Sequence, residues 1–275
     1  MISINTNSGA MVALQYLNQT NSQLSQVQQA VSTGLKVSSA KDDGATYAIA
    51  QNMRGDVAGY SAVTDSLNRG MSTVDVAMSA GQSISDLLIQ MKAKAIAASD
   101  SSLDTASRSA LNEDFTALRD QITSIVDNAS FNGTNLIDGS ITAGISALAS
   151  SDGSHKITVA SEDMSLGGSI VSVASSGNIS TQSAASTMIS TVETSLTAVN
   201  SALAKLSSGS AKFSIQAGFV QKLSDALTTG IGNLVDADMA TESAMLTSLQ
   251  TKQQLGVQAL SIANSAPQIA LSLFR

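Results

Sequence analysis

The residues of this chain that could carry chemistry are few, and their spacing does not form a site. His155 is the only histidine, and a lone imidazole in a predicted turn can build neither a histidine-rich metal site nor a relay with a sequence neighbour. Asp236, Asp238 and Glu242 form a local carboxylate cluster, but they lack the glycine turn and the twelve-position ligand pattern of an EF-hand. Negative charge at the start of a helix explains these carboxylates better. We therefore predict no metal ion and no cofactor.

The remaining acidic pair and the catalytic motifs also give no indication of an active site. Asp42 and Asp43 are adjacent, so their side chains point apart on one turn, and we predict that they cap the start of a helix. The chain has no cysteine, which excludes thiol nucleophiles, disulfides and cysteine-based metal sites. It also lacks the HExxH, P-loop and GxSxG patterns. The sequence therefore does not indicate an enzyme.

A long helical stripe from Ile189 to Leu234 organises much of the remaining chain. Its apolar residues are spaced alternately by four and three, which keeps them on one side of a helix that partner helices must cover. A second stripe of this spacing runs from Leu111 to Ala129. From the two stripes we predict these core residues of an antiparallel helical bundle: Leu111, Phe115, Leu118, Ile122, Leu196, Val199, Leu203, Leu206 and Phe213.

Glycines interrupt both of the longest helical patterns. Gly70 and Gly81 fall within an apolar pattern from Met53 to Met91, and we predict small breaks there because glycine weakens a helix. The stripe from Ile189 contains four glycines: Gly209, Gly218, Gly230 and Gly232. We predict that these loosen the helix or end it near residues 230–236.

The two ends of the chain are helical in pattern but nearly free of charge. Residues 1–35 contain no Asp, Glu, Lys or Arg, and from residue 243 onward only Lys252 and Arg275 are charged. Three explanations compete: disordered tails, membrane-surface helices, and helices buried in an assembly. Regular apolar spacing disfavours disorder, and the absence of a basic face disfavours membrane binding. We favour burial in an assembly, through Leu14, Leu17, Leu24, Val27, Val31, Leu246, Leu249, Leu260 and Ala263.

Residues 132–182 differ from the rest because they are rich in Gly and Ser, with short β-branched runs. Residues 157–159 and 170–173 are predicted strands, and Asp152-Gly153 and Gly167-Gly168 are predicted turns. The exposed Ser and Thr residues of 140–182 could carry O-linked sugars. The net charge of −7 argues against nucleic acid as a partner, and no apolar run approaches the ~18 residues of a membrane span.

Several motifs at the two ends resemble the bacterial flagellin family. Ile-Asn-Thr-Asn at residues 4–7 resembles the opening of the family. Ser-Thr-Gly-Leu-Lys-Val-Ser-Ser-Ala-Lys-Asp-Asp-Gly follows at residues 32–44, before Ala-Ile-Ala at 48–50. Phe131-Asn-Gly133, Asp-Ala-Asp-Met-Ala-Thr-Glu at 236–242 and Ala-Leu-Ser-Leu-Phe-Arg at 270–275 complete the set. The resemblance covers roughly residues 1–138 and 183–275. It adds Leu271, Leu273 and Phe274 to the assembly residues.

The resemblance implies a self-assembling structural subunit of the extracellular flagellar filament. The fold implied is mainly α, a long antiparallel helical bundle with a small β-hairpin region, and the terminal helices pair as a separate inner coiled coil. The implied segments are 1–44, 45–130, 131–182, 183–235 and 236–275, with only about fifty residues where outer domains usually sit. A hook-filament junction protein is the alternative, although the full flagellin-like C-terminus argues against it.

The resemblance also implies partners beyond the homopolymer. Export through the flagellar type III apparatus implies a dedicated export chaperone, and incorporation implies contact with the hook-filament junction and cap proteins. Flagellins that animal Toll-like receptors sense carry an Arg-x-x-Glu-Leu-type patch. Gln90, Ala93 and Lys94 occupy the three matching positions here, so we expect no strong receptor recognition.

Overall fold

A computed structural model describes residues 6–272, with side chains described for residues 6–265. Five helices span most of the described residues: α1 Ser8–Thr33, α2 Gly44–Ala98, α3 Thr105–Asn128, α4 Gln182–Val235 and α5 Met239–Ser272. Two antiparallel hairpins lie between α3 and α4: β1 Ser130–Phe131 with β2 Thr134–Asn135, and β3 Ile145–Leu148 with β4 Lys156–Val159. The predicted mainly α class is confirmed.

The chain divides into two compact units. Residues 1–55 and 226–275 form one, which we call the terminal unit, and residues 56–225 form the other, the bundle unit. Helices α2 and α4 each contribute residues to both units. No helix among residues 6–272 is long and apolar enough to cross a membrane.

Contacts in the bundle unit establish that its helices are antiparallel. Partner positions move toward the N-terminus of α4 as they move toward the C-terminus of α2: Gly70 with Phe213, Gly81 with Leu203, and Lys92 with Glu193. The same reversal relates α2 to α3, because Lys94 Nζ lies 2.6 Å from Asp114 Oδ2 while Arg108 contacts the end of α2. The predicted antiparallel bundle is therefore present.

The turn between α2 and α3 is built around a buried arginine. The Arg108 guanidinium donates to the carbonyl oxygens of Ala98, Asp100 and Leu103, the last two at 3.2 and 3.1 Å. The last carbonyls of a helix have no partner within the helix, so this side chain satisfies groups that would otherwise be orphaned.

The core of the bundle unit follows the spacing of a coiled coil. In α2 the buried positions alternate by three and four residues for most of their length: Val63, Leu67, Val74, Ala77, Ile84, Leu88, Met91, Ala95 and Ala98. In α4 the large buried residues recur every seven positions: Val192, Val199, Leu206, Phe213 and Val220. Among the predicted core residues, Phe115, Ile122, Val199, Leu206 and Phe213 are buried. Leu111, Leu118, Leu196 and Leu203 are partly buried against the same cluster.

Small residues occupy the remaining buried positions of α4 within the bundle unit. Ser195 and Ala202 are almost completely buried, and an added Cβ at Gly209 would lie 2.5 Å from Val159 Cγ1. The sequence pattern favoured the larger neighbours Leu196 and Leu203 at this place in the stripe. The missing side chain at Gly209 lets β4 approach the helix axis closely.

The predicted breaks at Gly70 and Gly81 are wrong. Helix α2 runs continuously from Gly44 to Ala98. The two glycines do not break it; they make room for side chains of α4. An added Cβ at Gly70 would lie 3.0 Å from the ring of Phe213, and one at Gly81 would lie 2.8 Å from Leu203. Helix α4 continues through its glycines and ends at Val235, within the predicted range.

One of the two predicted strands is also wrong. Residues 157–159 lie in β4 as predicted, but their partner is β3 at Ile145–Leu148. Residues 170–173 form no strand, and only a single bridge joins Val171 to Leu166. Val171 and Val173 are buried, and the backbone N–H of Ser172 donates to Ser195 Oγ at 3.0 Å. Apolar burial against α4, rather than sheet pairing, explains the β-branched run.

Candidate functional site

The terminal unit brings the two nearly charge-free ends together as an antiparallel helix pair. Near the start of α1, Asn7 Nδ2 donates to the carbonyl of Ala263 at 2.7 Å. Further along, Gln253 Nε2 donates to Asn21 Oδ1 at 2.7 Å. Since α5 residue numbers fall as α1 numbers rise, α1 and α5 run in opposite directions. We call this arrangement the α1–α5 pair.

The ends of α1 are set by local sequence. Asn7 caps the helix, because its Oδ1 accepts a hydrogen bond from the backbone N–H of Ala10 at 3.0 Å. Gly34 ends it with φ of 73° and donates its N–H to the carbonyl of Ala30 at 2.8 Å. Glycine adopts this left-handed conformation without the strain other residues incur.

Among the described residues, a small apolar cluster lies between α1 and α5. Leu24 and Val27 of α1 and Leu249 of α5 are buried, and Val31 and Leu246 pack against them. Gly256 adds a close approach farther along, because a Cβ there would lie 3.2 Å from Leu17 Cδ1. These contacts place five of the predicted assembly residues inside the pair itself.

The other predicted assembly residues lie outside that cluster. Leu14 is 46 % exposed, and Leu17, Leu260 and Ala263 are partly exposed. The backbone at Leu271 belongs to α5, but its side chain is outside the described part, and Leu273 and Phe274 lie outside the described residues.

The outer faces of the α1–α5 pair carry many large apolar side chains in water. Those with substantial exposure are Met11, Val12, Leu14 and Tyr16 of α1, and Met239, Met245, Leu255, Val257 and Ile262 of α5. Exposed apolar area on this scale marks an interaction surface in a water-soluble protein. Most of these residues could not be predicted from the apolar stripe in the sequence, because they lie on other faces of the same helices.

A groove of about 650 Å³ runs along the α1–α5 pair. Val27 and Leu249 contribute apolar surface to it, and Gln23, Gln26 and Ser248 contribute polar groups. Lys252 is the only charged side chain along it. Such a groove suits an uncharged amphipathic helix better than a charged small molecule.

A second small cluster fastens the connector after α1 to the end of α4. Val37, Ala50 and Val235 are buried together. The backbone N–H of Lys36 donates to the carbonyl of Val235 at 2.8 Å, and Ala237 donates in return to Gly34 at 2.9 Å. The connector is therefore held by backbone pairing as well as by apolar contact.

The carboxylates of Asp42 and Asp43 accept hydrogen bonds from nearby backbone N–H and hydroxyl groups. Asp42 Oδ2 accepts from the hydroxyl and N–H groups of Ser38 and Ser39 at 2.9 to 3.1 Å. Asp43 accepts from Thr46 Oγ1 at 2.6 Å and from two N–H groups in the first turn of α2. The hydrogen bonds from the Ser38 and Thr46 hydroxyls are the largest causes that lower the pKa of Asp42 and Asp43, respectively.

The C-terminal acidic cluster behaves in the same way. Asp238 accepts from Thr241 Oγ1 at 2.8 Å and from Ala240 N–H at 3.0 Å, and these bonds lower its pKa. Asp236 pairs with Leu35 in a backbone bridge. The described residues contain no group of three or more carboxylate or imidazole side chains that could hold a metal ion. The predicted capping role of Asp43 and Asp238 is confirmed.

His155 is exposed in the loop between β3 and β4. Its backbone N–H donates to Ser150 Oγ at 3.1 Å. The nearby Asp152 carboxylate accepts hydrogen bonds from the Ser150 and Ser154 hydroxyls, and these bonds lower its pKa to about 2. This loop is a hydrogen-bonded turn that the Asp152 carboxylate stabilises.

Comparison with known families gives matches at both ends of the chain. The bacterial flagellin N-terminal helical region matches residues 4–142, and the bacterial flagellin C-terminal helical region matches residues 189–274. Together these ranges contain all of α1, α2, α3 and α5 as well as most of α4.

Individual relatives match over nearly the whole length. The chain is 54 % identical to flagellin FljM of Caulobacter vibrioides, over 99 % of this chain and 98 % of that protein. It is 39 % identical to a flagellin of Brucella melitensis, with both chains covered completely. Among solved structures, Bacillus cereus flagellin matches with a TM-score of 0.45 and 21 % identity, over 61 % of this chain and 91 % of that one.

The full-length relatives are named flagellins, which favours the filament subunit over the hook-filament junction alternative. The α1–α5 pair and its exposed apolar faces lie within the two matched regions. The chain therefore belongs to the bacterial flagellin family, as a structural subunit of the flagellar filament.

Proposed function

We propose that the α1–α5 pair is the part of the subunit that is buried between neighbouring copies in the filament. The observation that carries this proposal is the set of large apolar side chains that the pair leaves exposed, from Met11 to Ile262. Its inner cluster is small, so the pair gains little from its own core. Neighbouring copies would cover the apolar faces and stabilise both helices.

The absence of charge on α1 supports the same proposal. Burying an unpaired charge is costly, so a helix surrounded by other helices is best built from apolar, small and amide side chains. Glutamines and serines of α1 can hydrogen-bond across helix contacts without that cost. Of the five segments predicted from the sequence, residues 1–44 and 236–275 would serve assembly. Residues 45–130 and 183–235 would supply the bundle helices, and residues 131–182 the β-hairpin region.

The remaining partners follow from the family role. We propose that the subunit is exported through the flagellar type III apparatus with a dedicated chaperone, and that it functions outside the cell. Incorporation would bring it against the hook-filament junction and cap proteins. The exposed Ser and Thr residues of 140–182 are proposed acceptors for O-linked sugars. Because Gln90, Ala93 and Lys94 replace the Arg-x-x-Glu-Leu-type patch, we also propose that Toll-like receptors recognise this subunit only weakly.

The variant Leu14→Glu tests the role of the α1–α5 pair. Leu14 is 46 % exposed in the subunit, so the substitution should leave the isolated chain folded. In a filament the carboxylate would be buried without a partner at a cost of several kcal/mol. A cost of about 3 kcal/mol raises the critical concentration for polymerisation about a hundredfold. Sedimentation and electron microscopy after seeding measure the result.

Gln121→Glu is the matched control, because it adds the same charge at an exposed position of the bundle unit. It should polymerise like the wild-type chain. Circular dichroism should give the same helix content for both variants. Normal filaments from Leu14→Glu would exclude burial of this face.

A further inference from the structure

The bundle unit has its own exposed apolar pair, on the outer face of α4. Ile215 is 74 % exposed and Phe219 is 57 % exposed. With Lys212 and Lys222 they are spaced by three, four and three residues, which places all four on one side of a helix. We call this set the basic stripe. Its neighbour Phe213 points into the core.

The two lysines of the basic stripe have no partner within the described part of the chain. Neither Lys212 nor Lys222 makes an ion pair or a hydrogen bond with those residues. Two turns before Lys212 on the same helix, Lys205 Nζ is 3.1 Å from a carboxylate oxygen of Glu162. The stripe therefore presents two apolar side chains between two cations that the subunit leaves available.

A second stripe with the opposite charge lies on the outer face of α2. Ile89 is 52 % exposed and Ile96 is 50 % exposed, and Asp86 and Ala93 lie on the same side of the helix. We call these four residues the acidic stripe. Asp86 has no hydrogen-bond or ion-pair partner among residues 6–265.

The cations near the acidic stripe are already engaged. Lys92 Nζ is 2.6 Å from Glu193 Oε1, and Lys94 Nζ is 2.6 Å from Asp114 Oδ2. Both lysines are therefore paired with carboxylates of neighbouring helices. Asp86 is left as the charged residue of the acidic stripe. Each stripe spans eleven residues, so its first and last residues are about 15 Å apart along the helix.

We propose that the basic stripe of one subunit packs against the acidic stripe of a second copy in the filament. Apolar side chains would meet at the centre, and Asp86 would face Lys212 or Lys222. Pairing of two basic stripes would bring lysines against lysines, and pairing of two acidic stripes would leave Lys212 and Lys222 without a carboxylate partner. A contact between two different surfaces is heterologous, and such contacts generate open helical assemblies. The inference rests on the filament role of the family.

The absence of cysteine allows a direct test by cross-linking. Ala93 lies within the acidic stripe, and Ala211 is exposed one turn before Ile215. We would polymerise the double variant Ala93→Cys with Ala211→Cys, treat the filaments with a short bismaleimide, and analyse them by denaturing electrophoresis. The contact predicts a ladder of covalent multimers, because each subunit carries one half of two different links.

The single variants are the essential controls. Ala93→Cys alone and Ala211→Cys alone should give only monomer, since a heterologous contact never brings two copies of one stripe together. The pair Ala93→Cys with Ala117→Cys, which uses an exposed position of α3, should also remain monomeric. Intact filaments without a ladder from the main pair would overturn the proposal, and so would dimers from either single variant.

Charge reversal provides a second measurement that does not depend on cysteine. Asp86→Lys should raise the critical concentration by about tenfold or more, because like charges would meet. Adding Lys212→Glu and Lys222→Glu to it should restore polymerisation to near the wild-type level. Failure of this restoration, with normal helix content, would also overturn the contact. Wild-type chains that form no filaments would instead contradict the proposed role of the α1–α5 pair.

Discussion

Glycines in the long helices affect stability in opposite directions, depending on whether another side chain packs against them. A Cβ at Gly209 would come within 2.5 Å of Val159 Cγ1, and Val159 is a β-branched residue held in β4. At Gly218, in the same helix, nothing lies within 4 Å of such an atom. The first glycine is required by packing, whereas the second is a weak point that packing does not require.

This difference predicts opposite effects of the same substitution. Gly209→Ala should lower the free energy of unfolding by about 1–3 kcal/mol, because the added methyl overpacks a stiff neighbour. Gly218→Ala should raise it by about 0.5–1 kcal/mol, because alanine is the better helix former. Urea unfolding followed by circular dichroism compares the two variants. Equal effects of the two substitutions would contradict the close packing of β4 on α4.

Among the elements, the helices could be predicted from the sequence much better than the strands. Helix α3 carries Leu111, Phe115, Leu118 and Ile122 at alternating spacing, and a stripe of that length has few alternative explanations. Strand β3 contains Ser146 and Ala147 among only four residues, which is too short and too mixed for a period to emerge. The β-branched run at 170–173 misled because burial and strand formation favour the same residue types.

Only part of the surface of the terminal helices could be predicted from the sequence, because the periodic stripe covers one face of each helix. The buried contacts at Leu24 and Val27 follow the spacing by sevens and threes that the sequence displays. Exposed residues such as Tyr16 and Leu255 lie off that stripe. The apolar stripe in the sequence therefore identifies the face of each terminal helix that packs within the chain. It does not identify the apolar residues on the other faces.

One carboxylate, that of Asp42, accepts several hydrogen bonds within the connector between α1 and α2, which makes this part of the connector sensitive to acid. Because hydrogen bonds from Ser38 and Ser39 lower the folded-state pKa of Asp42 below 3.8, the stabilisation is complete above that value. It is lost as the pH falls through the lower folded-state pKa. NMR amide shifts of Ser38 and Ser39 should therefore titrate together, with a midpoint below 3.8.

Asp42→Ala should abolish this shared titration and lower the thermal midpoint of the terminal unit near neutral pH. The difference in midpoint from wild type should shrink as the solution is acidified, because the wild-type carboxylate then also loses its charge. Asp65→Ala serves as control, since Asp65 makes no hydrogen bond with the described residues. A titration of the two amides that survives in Asp42→Ala would assign the effect to another group.

At the scale of the whole molecule, the two units differ in how they are stabilised. The bundle unit has one continuous core that includes Phe115, Phe213 and residues of both long helices. The described residues of the terminal unit form two clusters of three buried residues each, while many of its large apolar side chains face water. The conformational entropy lost on folding is similar per residue in both, so the terminal helices should be much the less stable part of the free subunit.

Hydrogen exchange before and after polymerisation measures this difference directly. In the free subunit, amides of α1 such as those of Leu14 to Leu24 should exchange far faster than core amides of α2 such as that of Leu88, because few buried contacts oppose their opening. In the filament, burial of the apolar faces should slow exchange in α1 and α5 by about a hundredfold or more, while the already protected core of the bundle unit serves as the internal reference. A subunit in which α1 and Leu88 are equally protected, or a filament in which α1 gains no protection, would contradict stabilisation of the α1–α5 pair by neighbouring copies.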